Sequence, residues 1–340
     1  MVTAGLDLTR QQILAYRRRV GALDERLPVG QGSLREAAWA GLQDSMPRAA
    51  LLSIHARVAG TQPDTWQDPS LVQLWGPRYS TYVVAAEDLP VFTLGRRSDD
   101  AKKRQRAQEV AAALHGLLDG VRMTDRDAGT ALGVDPNMLR YAAPTGTVQI
   151  RWDGARAPVV WTVPAPEVDP RDARRELARR HLHVFGPTTP GSFAVWAGIG
   201  ADAGTKAFDD LHDELAPVRT PIGDAWMLAS DEAKVRADPA PPAPTRLLPS
   251  GDTYFLLQGD DRELLVPEAA RRAALWPSRV WPGALLVDGE IVGTWRRKEH
   301  VVTAQPWQKL TRAARDAIDA EAATLPLPMI ARPVEVRWEA

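Results

Sequence analysis

Gln43, Asp44 and Ser45 are three adjacent hydrogen-bonding side chains at the end of one apolar helix pattern, just before Pro47, a residue suited to opening another helix. A carboxamide, a carboxylate and a hydroxyl at a helix junction form a candidate site. The same residues have a structural reading, because Asp44 and Ser45 are good caps for the helix expected from Pro47. At this level the two readings stand side by side.

Few other residues compete with that cluster. His181 and His183 lie two apart in a helical pattern, about 200° around its axis, so they cannot face one metal and are expected on the surface or in the core. His55 is expected as a packing residue. The 12 tryptophans against 5 phenylalanines supply rings that can stack on bases. Trp39, Trp75, Trp161 and Trp196, however, sit on patterned apolar faces and are expected in the core.

Composition narrows the classes of function. With 340 residues, 44% hydrophobic and 25% charged, the chain has the make-up of a globular protein of two or three compact units. No run approaches the ~20 apolar residues of a membrane span, and no leader pattern opens the chain, so a cytoplasmic location away from membranes is expected. Zero cysteines exclude disulfides, thiolate metal sites and cysteine nucleophiles. A net charge of -1 argues against coating nucleic acid through overall charge. Local clusters remain, at Lys102, Lys103, Arg104 and Arg106, at Arg171, Arg174, Arg175, Arg179 and Arg180, and at Arg296, Arg297 and Lys298; each reads as a phosphate-binding patch or as a solvated helix face or turn.

The elements that must hold these residues recur in one order. Helices are expected over Leu8 to Val20, from a capping box at Ser33 and Glu36 through Trp39 to about Gln43, and from Pro47 to Val58, followed by a short helix at Leu71 to Trp75 and a strand at Tyr79 to Val84. A second round has a long helix from Asp99 to Leu118, a helix capped by Thr124 that ends at Leu132, a glycine turn, a short helix from Pro136 to Ala143, and a hairpin of residues 148–152 and 157–163. A third has a basic helix from Arg171 to Val184, a helix capped by Thr189, a helix at about Ala203 to Leu211, and a hairpin turning at Gly223-Asp224. Two short helices and a hairpin make a winged helix-turn-helix, and three rounds suggest a tandem array. Arg78 and Arg140 lie in or beside its expected DNA-facing elements and are candidates for phosphate contacts.

The proline-rich stretch from Pro239 to Pro244 marks a last boundary. Beyond it, β-rich runs at Arg246 to Leu257, Ala284 to Val287 and Glu290 to Trp295, a helix near Gln308 to Ala322 and a strand at Val334 to Trp338 suggest a small β-rich domain, a partial barrel packed on the third winged helix. The division expected is therefore 1–98, 99–168, 169–238 and 239–340. The class is α+β, three tandem winged helix-turn-helix units with a C-terminal β-rich domain.

Several stretches, in order and at matching spacing over roughly residues 30 to 310, resemble one family. They include residues 42–50 with Ser53 and Arg57, Trp75-Gly76-Pro77-Arg78, Phe185-Gly186-Pro187-Thr188 with residues 193–198, Arg246-Leu247-Leu248-Pro249 with Asp252, Asp261-Arg262-Glu263, and Asp288-Gly289 with residues 292–296. The chain resembles the AlkZ/YcaQ-like winged-helix DNA glycosylases. The resemblance implies a C-shaped molecule with double-stranded DNA in its concave face, contacted by Arg48, Arg78, Arg140, Arg296, Arg297 and Lys298. It also implies monofunctional excision of N-alkylated purines, or unhooking of crosslinks, by a monomer that needs no metal or organic cofactor. The family signature is Gln-x-Gln or Gln-x-Asp; an ungapped match places its first residue at Gln43 and its second at Ser45, a departure.

The implied chemistry tolerates some variation. An N-alkylated purine is already cationic and leaves readily, so the protein has mainly to position a water and stabilise an oxocarbenium-like sugar. A neutral Gln can do this, and Gln43 and Asp44 with Ser45 assisting form the expected catalytic group. The alternative is a winged-helix DNA-binding or damage-sensing protein without the chemistry; a protein-interaction scaffold is a third reading.

Overall fold

The computed structural model describes residues 6–154, 156–237, 243–328, 330 and 332–339. Residues 239–242 of the proline-rich boundary lie outside them. Strand β1 (Leu6–Asp7) precedes α1 (Arg10–Val20), which starts on the reciprocal Thr9/Gln12 capping box and ends in three arginines suited to the negative end of a helix.

The first winged helix comprises α2 (Gln31–Ala37), β2 (Leu42–Gln43), α3 (Ala49–Arg57), β3 (Leu71–Trp75), β4 (Thr81–Ala85) and α4 (Leu89–Thr93). Three expectations fail here. Helix α2 starts after Gly30, not at Ser33, and stops at Ala37. The chain then turns through Gly41 at φ +71°, where a Cβ would lie 3.0 Å from Phe92 and 3.1 Å from Tyr82, so Gln43 stands on a strand and not on a helix. Helix α3 begins at Ala49 instead of Pro47, because Arg48 takes a left-handed conformation and the first turn is capped from outside by Asp44. Leu71–Trp75 is a strand and not a helix: five apolar-rich residues carry no decisive period, and the segment is sandwiched between β4 and a strand from the second unit.

The second unit matches its expected order. It comprises α5 (Ala101–Leu118), β5 (Met123–Thr124), α6 (Asp125–Leu132), a 3-10 helix (Pro136–Thr145), β6 (Val148–Arg151) and β7 (Val159–Thr162). The Thr124 hydroxyl accepts the Asp127 N–H, and Gly133 closes α6 at φ +68°. The Gln73–Ile150 pairing joins the first two units in one six-stranded sheet, β2-β4-β3-β6-β7-β5.

The third unit comprises α7 (Pro170–Phe185), α8 (Pro190–Ala197), α9 (Ala201–Asp209), β8 (Leu215–Thr220), β9 (Gly223–Leu228) and α10 (Glu232–Arg236). Its sheet is completed by β1, parallel to β8. Then come β10 (Arg246–Leu248), α11 (Asp261–Leu265), α12 (Ala269–Leu275), β11 (Gly283–Val287), β12 (Glu290–Lys298), β13 (Val301–Pro306), α13 (Arg312–Ala323) and β14 (Glu335–Trp338). These strands form a sheet in the order β10-β11-β12-β13-β14, open between β10 and β14 among the described residues, and so not a closed barrel. The strand expected to reach Leu257 stops at Leu248, because Gly251 at φ +75° and a turn at Asp252 redirect the chain.

The largest core cluster spans these units, with Phe185, Phe193 and Trp196 packing with Tyr82 and Phe92 and with Phe255 and Trp276 from the C-terminal region. His181 is stacked on Phe185, and burial pushes its pKa down to about 3, so it packs as a neutral ring. Trp75 and Trp196 are buried as expected. Trp39 and Trp161 are only half-buried, with Arg180 and Arg122 over their rings.

Candidate functional site

Strand β2 has only two residues, and alternation sends them opposite ways. Leu42 enters the core, while Gln43 shares a face with its cross-strand partner Tyr82. The Gln43 Nε2 donates to Ser45 Oγ at 3.1 Å, which fixes the carboxamide. Gly251, from the turn after β10, lies against the other side: a Cβ there would come 3.3 Å from Gln43 Cδ. The Gln43 Oε1 is buried with no hydrogen-bond partner among the described residues. The fully buried Tyr82 hydroxyl likewise has no partner of normal geometry. Burial pushes the Tyr82 pKa up to about 12, against the pull of Arg78 and Arg96, so the phenol is a neutral donor. An unsatisfied buried group costs about 1–3 kcal/mol, and Arg78 is the cation nearest to the Tyr82 hydroxyl.

Asp44 turns away from this pair. It is 1% exposed, accepts the Ala50 N–H at 3.0 Å and the Gln73 Nε2 at 2.8 Å, and faces Arg48 at 3.5 Å. Gln73 in turn accepts the Trp152 N–H at 2.7 Å, and Arg48 donates to the Trp152 carbonyl at 2.9 Å. The Arg48 and Arg151 guanidiniums both lie over the Trp66 ring, at 3.5 and 3.9 Å from its centroid. This network fastens the loop before α3 to the wing of the second unit. Asp44 therefore serves as a cap, and the geometry brings Gln43 and Ser45 together without it.

Burial raises the Asp44 pKa from 3.8 to about 6, outweighing the pull of Ala50, Arg48, Gln73 and Arg151. The folded protein then holds this proton more tightly than the unfolded chain does. The resulting stabilisation is full below pH 4 and is lost as the pH rises through 6, a change on the order of 3 kcal/mol. Asp44→Asn should flatten that part of the stability–pH profile, measured by chemical denaturation from pH 4 to 7. An unchanged slope would contradict the assignment.

The other expected contacts are scattered. Arg48 is buried in the network just described, with its guanidinium committed to protein partners. Arg78 has φ +54°, packs against Gly198 and lies near the Tyr82 hydroxyl. Arg140 stands in the 3-10 helix beside Asp125, with its Nε buried and unpartnered. Arg296, Arg297 and Lys298 end β12; Arg296 donates to the Val280 carbonyl and Arg297 to the Glu299 carbonyl, while Lys298 is exposed. His183 bonds Asp231 at 2.6 Å, and His55 bonds the Thr324 hydroxyl at 3.0 Å with its pKa pushed down to about 4 by burial, so both are structural.

Sequence reasoning missed Tyr82, Gly251 and Gln73. Tyr82 could have been found once β2 was read as a strand, since it stands directly opposite Gln43. Gly251 comes from a distant turn and left no local signal.

Residues 37–326 match the family model described as DNA glycosylase AlkZ-like, and the chain belongs to that family. No curated protein matches it. Among solved structures it is similar to the DNA glycosylase AlkZ of Streptomyces sahachiroi, at 20% identity and a TM-score of 0.80, over 98% of this chain and 100% of that one. At that identity the likeness establishes the fold.

Proposed function

We propose that this member of the AlkZ-like DNA glycosylase family excises N-alkylated purines from double-stranded DNA by attack of water at C1′, with Gln43 as its catalytic residue. The observation that carries the proposal is the Gln43 carbonyl oxygen, fixed by Ser45 and Gly251 and left without a partner among the described residues. An amide oxygen so held can accept a hydrogen bond from the attacking water, orienting it, and face the developing oxocarbenium charge. Ser45 does not replace the second side chain of the Gln-x-Gln pattern; it orients the first. Asp44 supports the loop from behind. Arg78 and the β12 cations Arg296 and Lys298 are proposed phosphate contacts, whereas Arg48 positions the loop. On this reading the chain acts as a cytoplasmic monomer, without metal or organic cofactor, and its three winged-helix units divide after residues 98 and 168, the third boundary, at 238, lying outside the described residues.

The test is release of 7-methylguanine from alkylated duplex DNA. Release no faster than the uncatalysed rate, with tight duplex binding retained, would leave DNA binding without excision, a reading favoured by the absence of a second long side chain at Ser45. Ser45 is exposed. Ser45→Gln keeps an oxygen acceptor for the Gln43 Nε2, so it is expected to keep release at or above the wild-type rate, and a loss would show that the hydroxyl itself is needed.

A further inference from the structure

A cavity of about 620 Å³ lies where the turn before β4, the segment after α4, helix α5, the 3-10 helix and the α8–α9 turn meet. Gln43, Ser45 and Tyr82 are not among its lining residues, although Arg96 is shared with the surroundings of the Tyr82 hydroxyl. Its wall carries Arg96, Arg97, Lys103 and Arg106, and none of its described lining residues is acidic. Arg96 is 4% exposed, and among the described residues its guanidinium donates only to the Ala197 and Trp75 carbonyls, both at 3.0 Å. Among the described residues no carboxylate pairs with it. A buried cation held by carbonyls alone is under-compensated, and an anion entering beside it offsets that cost. Burial lowers the Arg96 pKa only to about 10, so the charge persists at neutral pH. Two rings complete the wall, Tyr79 beneath Arg96 and Tyr141 beneath Arg106, in edge-to-face contact with centroids 5.4 Å apart.

We propose that this cavity is a binding site for a single nucleotide, its phosphate held by Arg96, Arg97 and Lys103 and its base against Tyr79 and Tyr141. The size suits one nucleotide and excludes a duplex. Aromatic side chains among arginines and lysines form the surface that stacks a base while neutralising its phosphate. The choice of a nucleotide over other aromatic anions rests on the DNA reading proposed above. The same chemistry has two sources, a free nucleotide or an unpaired nucleotide of a strand.

Titration calorimetry of the full chain with deoxyadenosine monophosphate and with inorganic phosphate tests the first source. The nucleotide should bind more tightly than phosphate. Arg97→Glu combined with Lys103→Glu should weaken it by about tenfold or more, whereas the control pair Lys102→Glu with Lys309→Glu, which makes the same charge change outside the cavity, should weaken it by less than about threefold. Tyr141→Ala should weaken the nucleotide and leave phosphate binding unchanged. The second source is tested with labelled duplexes that differ by one unpaired adenosine: a preference for the unpaired form, lost in the cavity pair and kept in the control pair, assigns the site to a DNA strand. The proposal is overturned if free nucleotide does not bind and no such preference exists, or if both variant pairs lose affinity equally. Neither arm reads base release, so a failure of the glycosylase reading appears separately, in the 7-methylguanine assay.

Discussion

Gln43→Ala is expected to lower release of 7-methylguanine from alkylated duplex DNA by about 10²–10³-fold, the usual loss when one preorganised polar group facing a developing charge is removed. The same substitution should leave duplex affinity and folding nearly unchanged. Among the described residues Gln43 makes one side-chain hydrogen bond, to the exposed Ser45, and its carbonyl oxygen makes none, so the fold loses little when the side chain is shortened. The pairing of β2 with β4 is backbone pairing and survives. A fall in release with unchanged melting and unchanged binding separates a chemical role from a structural one. Release within about threefold of wild type would remove Gln43 from the mechanism, since a group that faces the transition state cannot be so cheaply lost.

Gln43 was legible in the sequence, but its surroundings were not. The cluster at 43–45 showed itself by side-chain type alone, and the second and third winged helices by their caps, glycine turns and hairpins, whose signals are local: Thr124, Gly133 and Thr189 perform the roles their positions predict. The first unit was misread where long-range pairing overrides local pattern. Leu71–Trp75 becomes a strand because partners on both sides supply its hydrogen bonds, and the second of these, β6, lies some 75 residues further along the chain. The division of labour within Gln43-Asp44-Ser45 was equally hidden. Alternation along β2 aims Gln43 at Tyr82, and once the strand ends Asp44 is free to swing to the N–H of Ala50 on the opposite side. No spacing rule distinguishes those two directions until the element is known to be a strand. Gly251 illustrates the same limit, since a residue that acts by lacking a side chain next to a distant Gln carries no pattern of its own.

Asp252→Ala is expected to destabilise the protein by about 3–5 kcal/mol, the cost of stranding a buried charge. Arg57 and Asp252 are 2% and 1% exposed and form a two-pronged ion pair with both contacts at 2.7 Å; Ser53 Oγ and the Tyr254 N–H also donate to the carboxylate, and Arg57 reaches the Thr253 hydroxyl at 2.8 Å. Removing the carboxylate leaves the Arg57 guanidinium in the core with only Thr253 and a backbone carbonyl. Chemical denaturation should show the full loss in Asp252→Ala and a smaller one in the double variant Arg57→Met, Asp252→Leu, which removes both charges and refills the space. If the double variant is no more stable than the single one, the pair is not the source of the stability. The pair also has a consequence for the site. It ties the last turn of α3 to the turn that carries Gly251, and Gly251 is the wall against which the Gln43 carboxamide rests. The double variant should therefore recover stability without recovering activity. Its apolar side chains cannot accept the Tyr254 N–H that shapes the turn, so Gly251 is released from Gln43 and 7-methylguanine release stays low in a protein that is otherwise well folded.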